Sequence, residues 1–290
     1  MKKIFFLLIA TFAITISCSK EKPKEIDNPN KGEIIVETDE SFKSVIEALA
    51  ERYTALNPNT KINVIIKKED LGLLDLLDRK ARVVIMSREL SVKEKEAYDK
   101  KIDLPWLPGK FAADAVLFVV PKDSPLESIS MDDIYKELLS DKKRLIFDGT
   151  NSSNLNFVAQ KFQKNPADLK FSIINGNESV AEQLKNYPDK IGVISYNTIS
   201  RPFGEEATKL RNELKILKVL KDNKAYDVSP DNLKNMTYPF TRVLYFLSNE
   251  AYYGLGNGFI RFSCQQLGQI VVEKEGLQPY NIFKREVQMK

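Results

Sequence analysis

From Glu33 onwards, short apolar runs of strand character alternate with segments whose apolar residues recur at helical spacing. The run Glu33–Thr38 (EIIVET) leads through DESF into a stretch where Val45, Ile46, Leu49, Tyr53 and Leu56 share one helical face before Pro58 closes it. KINVII then reads as a strand, KKEDLGLLDLLDRKA as a helix, and RVVIM as a continuously apolar buried parallel strand. The alternation continues through DAVLFVVP, SMDDIYKELLS, RLIF, NLNFVAQKF, ESVAEQLKNYPDK and IGVISY. ELKILKVLKDNKAYDVSPDNLKNM reads as a strand and a polar excursion, YPFTRVLYFLSN as a strand, and GNGFIRFSCQQLGQIVVEKEG as one helix ended by Gly276. Strands separated by helices imply crossover connections, so the class is α/β.

The N-terminal MKKIFFLLIATFAITISCSK has a different logic. Lys2 and Lys3 precede an apolar and small-residue run from Ile4 to Ile16, too short to span a bilayer comfortably and arranged as a secretion signal over residues 1–17. The charged, Pro- and Asn-bearing stretch that follows, residues 18–32, reads as a flexible tether. Cys18 ends the apolar run behind Thr15, Ile16 and Ser17, which resembles a bacterial lipoprotein signal and implies lipidation of Cys18, with Thr15 standing where such signals usually carry Leu. An envelope location, periplasmic or at the cell surface, is therefore expected. The other cysteine, Cys264, then has no thiol to pair with and reads as a small buried hydrophobe.

Histidine is absent, which removes Ser-His-Asp and Cys-His nucleophile systems and His-bearing zinc sites. The formal charge of +4 becomes +2 without Lys2 and Lys3, and lysines and glutamates are interspersed, so no nucleic-acid footprint is present. No metal or cofactor is expected, and the chain is expected to act as a monomer.

Ligands of open α/β sheets sit at the carboxyl ends of strands. Three such loops here are polar in a similar way and offer hydroxyls: Thr38–Phe42 (TDESF), Ser87–Leu90 (SREL) and Asp148–Asn154 (DGTNSSN). Each stands before a helix, so each is either a helix cap or part of an anion cradle built on first-turn amides. The order of these loops, together with RVVIMSRELSVKEKE, DAVLFVVP, IGVISY, YPFTRVLYF and the closing GNGFIRFSCQQLGQIVVEKEGLQPY, resembles the periplasmic phosphate-binding protein family of ABC phosphate importers. That resemblance implies a two-lobed type II binding-protein fold, each lobe a mixed sheet flanked by helices, joined by crossover hinge strands. Lobe 1 would take residues 33–113 and 239–290 and lobe 2 residues 114–238, with passage near Asp114 and return near Tyr238.

The resemblance also implies a site. The hydroxyl and amide of the family's first loop fall on Ser41 and Phe42. Its serine-rich second site falls near Glu69 and Asp70, where this chain has no serine. The family's proton-accepting carboxylate falls on Arg88, directly after Ser87; its arginine falls on Asp148, and its Ser-Gly-Thr run on Ser152, Ser153 and Asn154. Acid and base have changed places. On this reading Arg88 forks onto an oxyanion, Asp148 accepts its proton, and Ser41, Ser152 and Ser153 donate. Alternatively Arg88 pairs with Asp148, or with Glu89 or Glu94 on its own helix, as most surface charges do. Glu40, Glu69 and Asp70 add negative charge at the mouth.

The leading expectation is a non-catalytic, lipid-anchored receptor that hands a small oxyanion, phosphate first, to a membrane transporter. A scaffold or regulatory lipoprotein of the same fold that binds no solute is the alternative from another class. A hydrolase using paired carboxylates is a third reading, though no two acids stand at a defined separation.

Overall fold

The computed structural model describes residues 27–282. The expected signal segment and Cys18 lie outside that range.

Strand β1 (Gly32–Thr38) pairs in parallel with β2 (Thr60–Ile66) on one side and β3 (Val83–Met86) on the other. Helix Lys43–Leu56, which buries one face through Val45, Ile46, Leu49, Ala50 and Tyr53, connects β1 to β2, and helix Glu69–Leu77 connects β2 to β3. Helix Val92–Ile102 begins with a full capping box, in which Ser91 and Glu94 satisfy each other's backbone amides. Next comes β4 (Gly109–Pro121), which is 13 residues long and buried along almost its whole length. After it run β5 (Ser128–Ser130), β6 (Leu145–Phe147), β7 (Ser172–Ile173), β8 (Ile191–Ser195), β9 (Leu214–Ile216), β10 (Lys218–Lys221), β11 (Lys224–Tyr226), β12 (Thr241–Ser248) and β13 (Gln278–Pro279). The main sheet runs β2-β1-β3-β12-β4-β8-β6-β7, with β13 and β9 also against β4.

β4 changes partners halfway along. Residues Gly109–Ala115 pair antiparallel with β12, whereas Val116–Val119 pair with β8 and Val119–Pro121 with β9. At the handover the Val116 amide donates to the Phe240 carbonyl at 3.0 Å. Buried apolar residues divide accordingly. One cluster draws only on Ala115–Phe240, including Val116, Phe118, Phe147, Val193 and Phe240. A second joins Ile34, Val36, Phe42, Leu49 and Phe111 to Leu244, Phe246, Phe259 and Leu277, and a third fills the far side of β3 with Leu73, Leu76, Tyr98 and Leu247. The strand ends between the first two clusters are where the polar loops meet.

Three sequence expectations need correction. Residues 27–32, read as part of a flexible tether, are fastened down: Arg82 holds the Asp27 carboxylate at 2.6 and 3.2 Å, and Tyr53 donates to the Pro29 carbonyl at 2.6 Å. The polar excursion after Leu214 contains β10 and β11, an antiparallel hairpin whose Asp222–Asn223 turn has φ of 50° and 61°, a tight turn that Asn and Asp tolerate. The closing helix is two helices, Leu255–Cys264 and Gln266–Lys274, because Gln265 is extended. The break is tolerated because the carbonyls it frees are taken up: Gln269 donates to Ser263 O at 2.7 Å and Asn281 to Cys264 O at 3.0 Å. Cys264 is a free, partly buried thiol, and burial pushes its pKa up to about 11.

Candidate functional site

The loop after β1 carries Asp39, whose backbone is extended and whose side chain caps the turn that follows. Its Oδ1 accepts the Ser41 amide at 3.0 Å, as an ordinary N-cap would. Its Oδ2 does something less local. It accepts the Glu69 amide at 3.2 Å and the Ser153 amide at 3.2 Å, from the first residues of two other helices. First-turn amides have no partner inside their own helix, and they lie at the positive ends of the helix dipoles. Three segments distant in sequence thus direct orphan N–H groups at one buried point.

A hydroxyl and amide network surrounds that point. Ser153 Oγ donates to Ser41 Oγ at 2.9 Å, and Asn177 Nδ2 reaches Ser41 Oγ at 3.1 Å and Asp148 Oδ2 at 3.2 Å. Asn154 Nδ2 donates to Asp148 Oδ1 at 3.2 Å and to Asn177 Oδ1 at 2.8 Å. Asp148 also accepts from Lys68 at 3.3 Å. Burial, followed by the neighbouring Asp39 charge, raises the Asp148 pKa above the usual aspartate value. Below the network, Arg242 on β12 pairs with Asp114 on β4 at 2.7 Å, both side chains fully buried, and donates through Nη2 to Asn154 Oδ1 at 2.9 Å. Its guanidinium lies 4.7 Å from the Phe42 ring centroid. Asp114 in turn accepts from Ser195 Oγ at 2.9 Å and the Asn197 amide at 3.0 Å.

The residues singled out from sequence divide into two groups. Ser41, Phe42, Asp148, Ser153 and Asn154 come together in this network, although the Phe42 amide is spent on the Asp39 carbonyl. Ser152 is a helix cap: its Oγ accepts the Leu155 amide at 3.4 Å and donates to Gly149 O at 3.1 Å. DGTNSSN is therefore cap and cradle wall at once. Ser87 directs both its amide and hydroxyl at Glu69 Oε1, at 2.6 and 2.7 Å. Arg88 is held by Asp70 at 2.6 Å, Glu94 at 2.7 Å and Glu69 at 3.3 Å; the Glu94 partner was anticipated above, but Arg88 reaches it from the loop before helix Val92–Ile102 and not from that helix. Burial raises the Glu69 pKa, with the adjacent Arg88 charge opposing that rise.

Asp39, Asn177, Arg242, Asp114 and Ser195 were not singled out from sequence. Two of them had left a mark: Asp114 is the single charge within AADAVLFVV and Arg242 the single charge within FTRVLYFL, both buried strands. A charge persists in such a strand only when it is paired. Nothing local announced Asn177, since its role depends on the fold bringing its helix start to Asp148.

The two sides of the cleft are tied together around the cradle. Asn156 donates to Asp70 at 2.8 Å, and Gln160 and Glu89 exchange hydrogen bonds at 2.9 and 3.1 Å. A hollow of about 420 Å³, lined in part by Glu40, Lys43, Asn177 and Arg201, opens alongside. Among the described residues no cluster of acids and cysteines has the makings of a metal site, and no helix is long and apolar enough to cross a membrane.

The fold agrees with what the chain resembles among known proteins. It is 21% identical over 298 residues to the phosphate-binding protein PstS of Borreliella burgdorferi, covering 95% of this chain and 98% of that protein. A phosphate ABC transporter substrate-binding protein from Clostridium perfringens, solved with bound phosphate, superposes with a TM-score of 0.68 at 19% identity, over 86% of this chain and all of that one. An ABC-type phosphate transport receptor from Vibrio cholerae does so with a TM-score of 0.63 at 17% identity, over 86% of this chain and 100% of that one. The fold is the mixed α/β architecture of type II periplasmic binding proteins. Residues 23–266 match the PBP superfamily domain, and the chain belongs to that superfamily of non-enzymatic binding proteins.

Proposed function

We propose that this protein is an extracytoplasmic receptor for a small oxyanion, inorganic phosphate in the first place, which it presents to a membrane transporter. The observation that carries this reading is the convergence of the Ser41, Glu69 and Ser153 amides on one buried point. Such a set of donors has little use other than holding an anion. Relatives named for phosphate binding and phosphate transport support the choice of ligand. The neighbouring carboxylate of Asp148, linked to the point through Asn177 and Ser41, favours a protonated phosphate, which can donate to it, over sulfate, which cannot. Lobes of 33–113 with 239–290 and of 114–238 would close on the ligand, with β4 and the Tyr238–Thr241 segment as hinges. The signal at 1–17 and lipidation at Cys18 would fix the receptor to an envelope membrane.

A scaffolding role without solute is the second reading. It is favoured by Asp39 already filling the convergence point and by three carboxylates already neutralising Arg88. Calorimetric titration of the purified protein with phosphate, with sulfate as control, separates the two readings. Saturable phosphate heat without sulfate heat is expected of the receptor. Absence of binding for both anions would refute that reading and leave the scaffold. For the anchor, radiolabelled palmitate should enter the wild-type protein and not Cys18→Ser.

A further inference from the structure

The anion that occupies the cradle belongs to the protein itself. Asp39 is 1% exposed, and its two carboxylate oxygens take up three backbone donors from separate segments. One of these bonds is the local cap that an aspartate at a helix start normally forms. The other two span 30 and 114 residues and serve helices of nine residues each. An N-cap needs only the first.

A second observation points to an unmet donor in the same cluster. Arg242 is 1% exposed, yet its Nη1 has no hydrogen-bond partner among the described residues. Its other nitrogens are committed to Asp114 and Asn154, the latter next in sequence to Ser153. A buried, unpaired guanidinium N–H carries a desolvation penalty that ordinary packing does not repay. The two Asp39 oxygens satisfy the three amides, whereas a tetrahedral oxyanion offers four oxygens in diverging directions, enough for the same amides and for further donors.

We infer that Asp39 is a built-in competitor for the oxyanion position: its carboxylate holds the cradle closed, and an external tetrahedral oxyanion enters only as that carboxylate withdraws. Asp39 thereby sets the affinity and threshold of the site. This deepens the receptor reading and rests on the same cradle. The ties across the cleft, Asn156 to Asp70 and Gln160 to Glu89, fit this inference, since an internal acceptor satisfies the three amides and lets the two sides meet without solute.

The test compares inorganic phosphate binding by wild-type, Asp39→Ala and Asp39→Asn proteins, using calorimetric titration and thermal unfolding at neutral pH. Removing the carboxylate takes away both the occupant and one negative charge facing the ligand. Asp39→Ala is expected to bind phosphate at least ten-fold tighter than wild type and to gain more melting temperature from phosphate. Asp39→Asn, which keeps the side chain's shape without its charge, is expected to fall between the two and carries the comparison where the alanine variant fails to melt cooperatively. Equal or weaker phosphate binding by the folded variant, including none at all, would overturn the inference. Phosphate binding by wild type with no gain in the variants overturns this inference and leaves the receptor standing. Binding by the variants alone upholds the inference and refutes the receptor reading for the native chain.

Discussion

Replacing Arg242 by methionine should be among the most destabilising substitutions available in this protein. The guanidinium contacts Asp114 through Nε at 2.8 Å and Nη2 at 2.7 Å, and it holds Asn154 at 2.9 Å. Methionine fills comparable space but leaves the Asp114 carboxylate buried, with Ser195 Oγ and the Asn197 amide as its remaining donors. Breaking one side of a buried ion pair costs about 3–5 kcal/mol, mostly because the abandoned charge stays desolvated. For a chain of this size each kcal/mol moves the melting temperature by about 2–4 °C, so the loss should be roughly 6–20 °C. Urea unfolding of Arg242→Met, Asp114→Asn and the double variant would measure it. The double variant should lose less than the sum of the singles by about 1–3 kcal/mol, since it no longer strands a charge. A loss below about 1 kcal/mol for Arg242→Met, the range of an exposed pair, would refute the reasoning, as would a strictly additive cycle.

Other substitutions separate the roles of neighbouring residues. Ser152→Ala should cost about 1 kcal/mol in urea unfolding, the usual worth of an N-cap, and leave phosphate affinity unchanged; a change in affinity would place Ser152 in the cradle. Because burial and Asp39 raise the Asp148 pKa, the folded state holds that proton more tightly than the unfolded chain. Its contribution to stability is therefore present at low pH and lost as pH rises from the ordinary carboxylate range through the raised value. The stability difference between wild type and Asp148→Asn should accordingly fall with rising pH in a series of thermal melts, and a flat or rising difference would contradict the burial argument. Gly276→Ala should destabilise by more than about 1 kcal/mol, because Gly276 has φ of +79° and an added Cβ would lie 2.1 Å from the Ser200 carbonyl oxygen. An unchanged urea midpoint would show that the contact relaxes.

The sequence by itself determined the α/β class, the strands β1 to β3, the second half of β4, the helices between them and the three hydroxyl-bearing loops. Those signals are local: apolar periodicity, a capping residue, a terminating glycine or proline. Two tertiary decisions lay beyond it. Where side chains could satisfy freed backbone atoms, the chain broke its own pattern, as at Gln265, where Gln269 and Asn281, six and seventeen residues from their acceptors, take up carbonyls that a continuous helix would have used internally. The cradle likewise arises from amides 30 and 114 residues from Asp39, and no spacing rule relates them. Sequence could say that Asp39 caps a turn; only the packing of helices Glu69–Leu77 and Ser153–Lys161 against the same strand ends made its second oxygen the anion at their shared positive ends. Arg88 shows the converse. Its chemistry suits an oxyanion, but the fold placed Glu69, Asp70 and Glu94 within reach first, and a charge pairs with the nearest acids that share its burial.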